Sequence, residues 1–230
     1  MTDEFRVALD ELEHEERSYR SLCMRIQAQL EDNPELEIDG LHCVHSVRWR
    51  KKSHRSMLDK CKRKKEKGIL IDEYNVFDEI EDFFGIRVLH LHFDQVGPIH
   101  SFLCKRVDDG EFVFGEQPKA YTWDPESTDH LRELGFEVEF RESFYTSLHY
   151  ILRASETSRI RCEVQVRTLF EEAWGELDHW MNYPKKTDNL ALKEQILVLS
   201  KLVSAGSRLA VAINRTYKAG LSEAPQDGAE

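Results

Sequence analysis

Glu163, Gln165 and Arg167 stand at alternate positions in the run from Ile160 to Thr168, interleaved with Cys162, Val164 and Val166. Successive side chains of an extended segment point to opposite faces, so a carboxylate, an amide and a guanidinium share one face and three apolar groups share the other. The polar face can hold a metal ion, a base edge or hydroxyl, and a phosphate. It can equally be the solvated face of an edge strand, and this run by itself supports both readings. Thr168 then offers a cap to a helix whose Phe170, Trp174, Leu177 and Met181 recur at helical spacing.

A second constellation lies in the strongest basic cluster, Arg48 to Lys67, where only Asp59 and Glu66 oppose the cations. Such a run is commonly a solvated helix face or a mobile arm. With a helix starting near Ser53, however, Ser56 and Lys60 fall one turn apart on the same face, and Arg50 and Lys52 share a face of the preceding strand. A helix N-terminus, a hydroxyl and fixed cations at one corner favour an anion such as phosphate. Asp82 and Arg87 bracket Gly85 where a short helical turn gives way to a strand, an arrangement that an ordinary ion pair would also explain. Tyr145, Ser147 and His149 share one strand face, able to stack a base and touch a phosphate or simply to pack across strands. His90 and His92 also share a face, but with no third ligand nearby they are expected to be core or surface histidines.

The elements that must position these residues follow from periodicity. Residues 3 to 31 read as one long amphipathic helix ending near Asn33-Pro34, and 41 to 50 as a strand. Gln95 to Arg106 reads as a helix and Glu111 to Phe114 as a strand; residues 115 to 135 form an excursion with a short helix near Asp129 to Leu134. Phe136 to Phe140 and Tyr145 to Leu152 alternate as strands, and residues 189 to 217 form a final helix with the apolar stripe Leu192, Ile196, Leu199, Leu202, Leu209 and Ile213. A length of 230 residues suits one domain with helical ends. The net charge of −11 speaks against broad electrostatic binding of nucleic acid, leaving local patches to be judged singly. The five cysteines include no Cys-x-x-Cys pair, the N-terminus has no apolar signal core, and no segment reads as long and apolar enough to span a bilayer. The expectation is a soluble, cytoplasmic protein without a membrane partner.

In order along the chain, Arg50-x-Lys52-x-x-x-Ser56-x-x-x-Lys60, Asp82-x-x-Gly85-x-Arg87, Tyr145-x-Ser147-x-His149, Glu163-x-Gln165-x-Arg167-Thr168 and His179 before Tyr183 together resemble the synthetase domain of the RelA/SpoT alarmone enzymes. The resemblance covers residues 41 to 185, with residues 1 to 40 as a helical extension, 186 to 220 as a helix packing on the domain or on another subunit, and 221 to 230 as a disordered tail. It implies an α/β (α+β) fold, a nucleotidyltransferase-like mixed sheet of about five strands flanked by helices. It implies transfer of pyrophosphate from ATP to the 3′-hydroxyl of GDP or GTP with release of AMP, by a stand-alone, synthesis-only enzyme. By the same resemblance, Arg50 and Arg87 would sandwich the adenine while Lys52, Ser56 and Lys60 hold the ATP phosphates. Asp82 would bind Mg²⁺, and Glu163 would be a second metal ligand or the base for the 3′-hydroxyl. Tyr145 would stack on the guanine, with His149, Gln165 and Arg167 ordering the acceptor.

The chain departs from the family pattern on the acceptor side. Arg141-Glu142-Ser143-Phe144 stands where a Lys-Pro-Asn-Gly-like turn is usual, and no Lys-Asp-Tyr segment is recognisable between Tyr121 and Arg132, so basic contacts to the acceptor's phosphates are expected to be thin, with Arg141 supplying one. Glu172 stands where compact relatives carry an asparagine; its carboxylate is expected to accept from guanine N1-H and the exocyclic amine, or to be a surface glutamate. Two other readings follow. One keeps the chemistry but takes the tRNA 3′ end or an adenosine nucleotide as acceptor; the other is an inactive nucleotide-binding or oligomerisation module. Homo-oligomers through the terminal helices are expected for small relatives.

Overall fold

The computed structural model describes residues 5–141, 146–182 and 187–223. Its chain begins with α1 (Arg6–His14) and α2 (Glu16–Leu30), where one continuous helix was expected. Around Glu15 the sequence His14-Glu15-Glu16 has no apolar side chain to keep the register, so the two buried stripes, Ala8, Leu9 and Leu12 and then Tyr19, Leu22, Ile26 and Leu30, pack on different neighbours. The expected strand over 41 to 50 is also divided. Its first residues join a hairpin, β1 (Glu37–Ile38) with β2 (Leu41–His42), whose Asp39-Gly40 turn has both residues at positive φ, 53° and 74°, as a tight two-residue hairpin requires. Its remainder is β3 (Ser46–Lys51).

Ser53 caps α3 (His54–Glu66) through its side chain, which accepts from the Ser56 N–H. After the short α4 (Val76–Glu79) come β4 (Phe84–His90), α5 (Val96–Asp108), β5 (Val113–Phe114) and β6 (Lys119–Thr122). The remaining elements are α6 (Pro125–Glu133), β7 (Glu137–Phe140), β8 (Ser147–Arg153), β9 (Cys162–Thr168), α7 (Leu169–Asn182) and α8 (Leu190–Glu223). Asp124 caps α6 and Pro125 occupies its first turn, so this helix starts earlier than residue 129. The C-terminal helix continues past Gly220 to Glu223, and residues 224–230 of the expected tail lie outside the described residues.

The sheet is mixed and seven-stranded, in the order β3-β4-β9-β8-β6-β7 with β5 paired to β8. The expected strand over Glu111 to Phe114 is present as the two-residue β5, while the expected count of about five missed β6, which hides between Gln117-Pro118 and Trp123-Asp124 in the stretch read as an excursion. At the centre, β4 and β9 run parallel, with β3 antiparallel on one side and β8 antiparallel on the other. Val88, Val164 and Val166 turn into the core beneath α2, while the alternate residues face the opposite side. Tyr19 of α2 lies between Phe83 and Phe84, edge-on to one at 5.0 Å and stacked on the other at 5.3 Å. His90 is buried in this core and burial lowers its imidazole to about 4, as suits a neutral core histidine. All five cysteines are free thiols.

The expectation that no segment is apolar and long enough to cross a bilayer does not hold. Leu190–Gly220 is a helix of 31 residues with mean hydropathy 1.7 in its most apolar window, because Lys201 and Arg208 interrupt the run without outweighing it. One face of α8 is tied to the domain: the Trp174 indole donates to the Ile196 carbonyl at 3.2 Å, Arg208 pairs with Asp124 at 2.9 Å, and Arg215 pairs with Asp94 at 2.8 Å. Leu202, Leu209 and Ile213 on its other side are exposed.

Close packing at the sheet edge yields a stability test. A Cβ on Gly115 would lie 2.7 Å from Ile151 Cγ2, a β-branched atom with little freedom to withdraw. Gly115→Ala is therefore expected to destabilise the fold by about 1–3 kcal/mol in denaturant unfolding; an unchanged midpoint would show that this edge yields without cost.

Candidate active site

The register of the central strands builds the site. Arg50, Gly85 and Glu163 lie in one row across β3, β4 and β9; the next row runs Arg48, Arg87, Gln165, His149 and Lys119. The face away from α2 thus gathers cations from β3 and β4 and the polar triplet of β9. A cavity of about 650 Å³ opens over it, lined by Arg48, Arg50, Lys52, Asp82, Arg87 and Glu163 among others, and walled by Glu172 and Glu176 of α7.

Asp82 sits in the turn between α4 and β4, just beyond the helix end at which it was expected. Its carboxylate receives Lys52 on one oxygen and Lys60 on the other, the latter at 2.7 Å. Burial by itself would raise the Asp82 carboxyl, but the Lys60 and Lys52 ammonium groups outweigh it and hold the group at about 2. Ser56 stands one turn before Lys60 at the capped start of α3, its hydroxyl 2.9 Å from that of Ser53. Lys52 and Lys60 thus meet at Asp82, with Ser56 one turn before Lys60 on α3.

Glu163 is fixed from both sides. One carboxylate oxygen lies 3.1 Å from His149 Nδ1 and the other accepts from Gln165 Nε2 at 2.7 Å. Burial and the nearby Asp82 charge push its carboxyl up, yet the hydrogen bonds from His149 and Gln165 and the attraction of His149 keep it below the ordinary value, so it is ionised at neutral pH. Gln165 in turn accepts from Arg167 at 2.6 Å, and Arg167 reaches Glu172 at 3.3 Å. Thr168 caps α7 reciprocally: its hydroxyl accepts from the Glu171 N–H, and the Glu171 carboxylate accepts from the Thr168 N–H.

Arg87 is gripped by Glu172 and Glu176, one helical turn apart on α7. Burial would lower the Arg87 guanidinium, and its bonds to these carboxylates raise it instead. Both Glu172 oxygens are thus engaged, one by Arg87 and one by Arg167, so this residue links the side expected to bind donor to the side expected to bind acceptor. Arg141 is bound to Glu139 at 3.0 Å and lies over the Tyr121 ring at 4.3 Å. Tyr145 and the turn residues 142 to 144, like Tyr183, lie outside the described residues.

The sequence reading missed Glu176, Lys119 and Tyr121. Glu176 follows Glu172 at helical spacing, which places both on one face of α7. Lys119 and Tyr121 face the same side of β6; Lys119 stands opposite His149 in the register, and the Tyr121 ring meets His149 edge-on at 4.7 Å. A basic and an aromatic group thus stand beside His149, with Lys119 itself paired with Glu116 at 2.7 Å.

A family model for the region found in RelA/SpoT proteins matches residues 49–188. The chain belongs to the RelA/SpoT family. No curated protein matches it. Among solved structures it is similar to the small alarmone synthetase 1 from Bacillus subtilis, with a TM-score of 0.68 and 21% identity, covering 94% of this chain and 100% of that one. The same Bacillus protein bound to its product pppGpp matches at a TM-score of 0.68 and 20% identity over 91% of this chain and 99% of that one. A GTP pyrophosphokinase family protein from Streptococcus pneumoniae matches at a TM-score of 0.60 and 16% identity, covering 94% and 98%. The mixed sheet with its helical C-terminal extension is thus a RelA/SpoT synthetase fold.

Asp82 makes the acid limb of stability testable. Its folded-state value of about 2 lies below that of an unfolded aspartate, about 3.9, so the unfolded chain binds the proton more readily. The associated stabilisation, on the order of 2 kcal/mol, is present above pH about 4 and lost as the pH falls toward 2. Asp82→Asn is expected to flatten this part of the stability–pH curve; an equally steep limb in the variant would assign the acid sensitivity elsewhere.

Proposed function

We propose that this RelA/SpoT protein transfers the pyrophosphoryl group of ATP to the 3′-hydroxyl of GDP or GTP. The observation that carries the reading is the convergence, on one sheet face, of the Lys52–Asp82–Lys60 cluster with the Glu163–Gln165–Arg167 triplet. The similar Bacillus subtilis synthetase has been solved with its product pppGpp and with AMPCPP, which supports nucleotides of both bases as ligands of this fold. In the proposed reaction the acceptor 3′-oxygen attacks the β-phosphorus of ATP, the bond to the α-phosphate oxygen breaks, and AMP leaves.

Phosphoryl-type transfer is mostly positioning and neutralisation of charge. Lys52, Lys60 and Ser56 would hold the donor phosphates, with Arg50 and Arg87 flanking the adenine. Asp82 and Glu163 would hold Mg²⁺: two carboxylates beside a cavity able to take phosphates suit an ion that prefers a few hard oxygens plus substrate and water, and no group of three or more metal-ligating side chains competes among the described residues. When bound, the ion supplies charge neutralisation on the transferred phosphates. Glu163 is ionised, as both a metal ligand and an acceptor of the 3′-hydroxyl proton must be. His149 and Gln165 orient it, and Tyr145 would stack on the guanine. The exposed cations Arg55, Lys62 and Arg63 of α3, with Lys67 just past its end, favour the tRNA 3′ end as the second acceptor to test.

ATP labelled in the γ-phosphate, with Mg²⁺ and separately GDP, GTP, ADP or deacylated tRNA, tests the reading. Label is expected on GDP or GTP, with Glu163→Gln lowering turnover by at least about 100-fold. Label on tRNA or ADP alone would replace the acceptor, and no transfer dependent on Glu163 would favour a binding module. In the same assay Glu172→Gln is expected to erode the preference for guanine over adenine acceptors. Unchanged selectivity with a raised KM for ATP would instead assign Glu172 to holding Arg87.

We also propose that a second copy of the chain covers the stripe of Leu202, Leu209 and Ile213, because the opposite face of α8 is already tied to the domain by Trp174, Arg208 and Arg215. Light scattering should return a multiple of 27.0 kDa that falls toward one copy in Leu209→Glu; a single-copy mass for the native chain would contradict it.

A further inference from the structure

Asp82 and Glu163 come from segments that no helix or strand holds rigidly together on both sides. Glu163 is inside β9, whereas Asp82 rides on the turn between Glu79, where α4 ends, and Phe84, where β4 begins. The two carboxylates repel, since the Asp82 charge acts on Glu163. In this structure Lys52 and Lys60 offset that repulsion by sitting on Asp82. Once those lysines turn to phosphate, the position of Asp82 depends on what anchors its turn.

On the C-terminal side the anchor is apolar and backbone: Phe83 and Phe84 pack against Tyr19, and Lys52 N–H donates to the Phe83 carbonyl at 2.8 Å. On the N-terminal side the anchor comes from the segment leading into β9. Arg161, two residues before Glu163, donates to Glu81 at 2.8 Å and to Asp78, bridging the turn and α4 with one planar fork. Arg159 donates to the Glu73 carbonyl at 3.3 Å and lies 4.2 Å over the Phe77 ring. Burial raises the Glu81 carboxyl and the Arg161 guanidinium tempers the rise, so Glu81 is a partly buried acid with a dedicated cation.

We propose that Arg161 is a positioning residue: through Glu81 and Asp78, and aided by Arg159, it ties the Asp82 turn to the strand that carries Glu163 and sets the spacing of the two carboxylates for a divalent cation. Arg161 does not line the cavity over the sheet face and acts through Glu81 and Asp78. Its planar fork suits the bridging task, because a lysine keeps the charge but cannot span two carboxylates in fixed geometry. The inference rests on the reading of Asp82 and Glu163 as the metal pair.

The test is Mn²⁺ binding, followed by titration calorimetry and by the paramagnetic resonance signal of the free ion, on the native chain and on Asp82→Asn, Arg161→Met and Arg161→Lys. The native chain should bind, Asp82→Asn should not, Arg161→Met should bind at least about 5-fold more weakly, and Arg161→Lys should fall between. The Mg²⁺ concentration for half-maximal turnover should rise in the same order while the KM for the acceptor stays constant. A native Mn²⁺ affinity in Arg161→Met, whatever its thermal stability, would overturn the positioning role and leave the metal pair intact. Mn²⁺ binding that Asp82→Asn does not weaken would overturn the metal pair itself. Arg161→Lys, the milder change, supplies the same comparison if Arg161→Met fails to fold.

Discussion

Two carboxylates that repel each other must be held beside a cluster of cations, and most of the local structure follows from meeting that constraint. The parallel pairing of β4 with β9 sets Gly85 opposite Glu163, which brings the turn carrying Asp82 close to the polar triplet. The charge is balanced by neighbouring side chains: Lys52 and Lys60 pair with Asp82, while His149 and Gln165 each engage one oxygen of Glu163. In the proposed reaction these are the groups that would contact phosphate and metal, so substrate would exchange partners with groups already charged and in place. Such preorganisation lowers the rearrangement needed at the moment of transfer.

A second chain of charge runs from Gln165 through Arg167, Glu172 and Arg87 to Glu176. It joins β9, β4 and the first two turns of α7, so the capped start of that helix is cross-linked to the face of the sheet. Glu171, whose carboxyl burial raises to about 7, closes the cap one residue before Glu172. The aromatic packing of Tyr19 on Phe83 and Phe84 secures the other edge of the site, which gives the N-terminal helices a role in the geometry of a turn far from them in sequence.

Strand alternation made Glu163, Gln165 and Arg167 legible as one face, and helical spacing did the same for Ser56 and Lys60, because both patterns are local consequences of backbone geometry. The pairing of those faces was not local. That Asp82 would meet Lys52 and Lys60 depends on β3 and β4 being antiparallel neighbours, and only the family resemblance anticipated a shared site. The break at Glu15 and the strand Lys119–Thr122 escaped because tertiary packing overrode a continuous helical pattern in one case and turn residues masked a short strand in the other. Arg161 and Glu176 carry no motif; their roles rest on distances of side chains far apart in sequence. The apolarity of α8 lies in the mean over its length, since Lys201 and Arg208 break the apolar run without outweighing it.

The most direct measurement is a structure of the chain crystallised with a non-hydrolysable ATP analogue and Mg²⁺. The charge-exchange arrangement predicts Lys52 and Lys60 withdrawn from Asp82 onto the phosphates, the ion bound by Asp82 and Glu163, and the adenine between Arg50 and Arg87. Lysines still paired with Asp82, and the analogue bound away from the sheet face, for instance in the separate cavity of about 540 Å³ between α6 and α8, would contradict it.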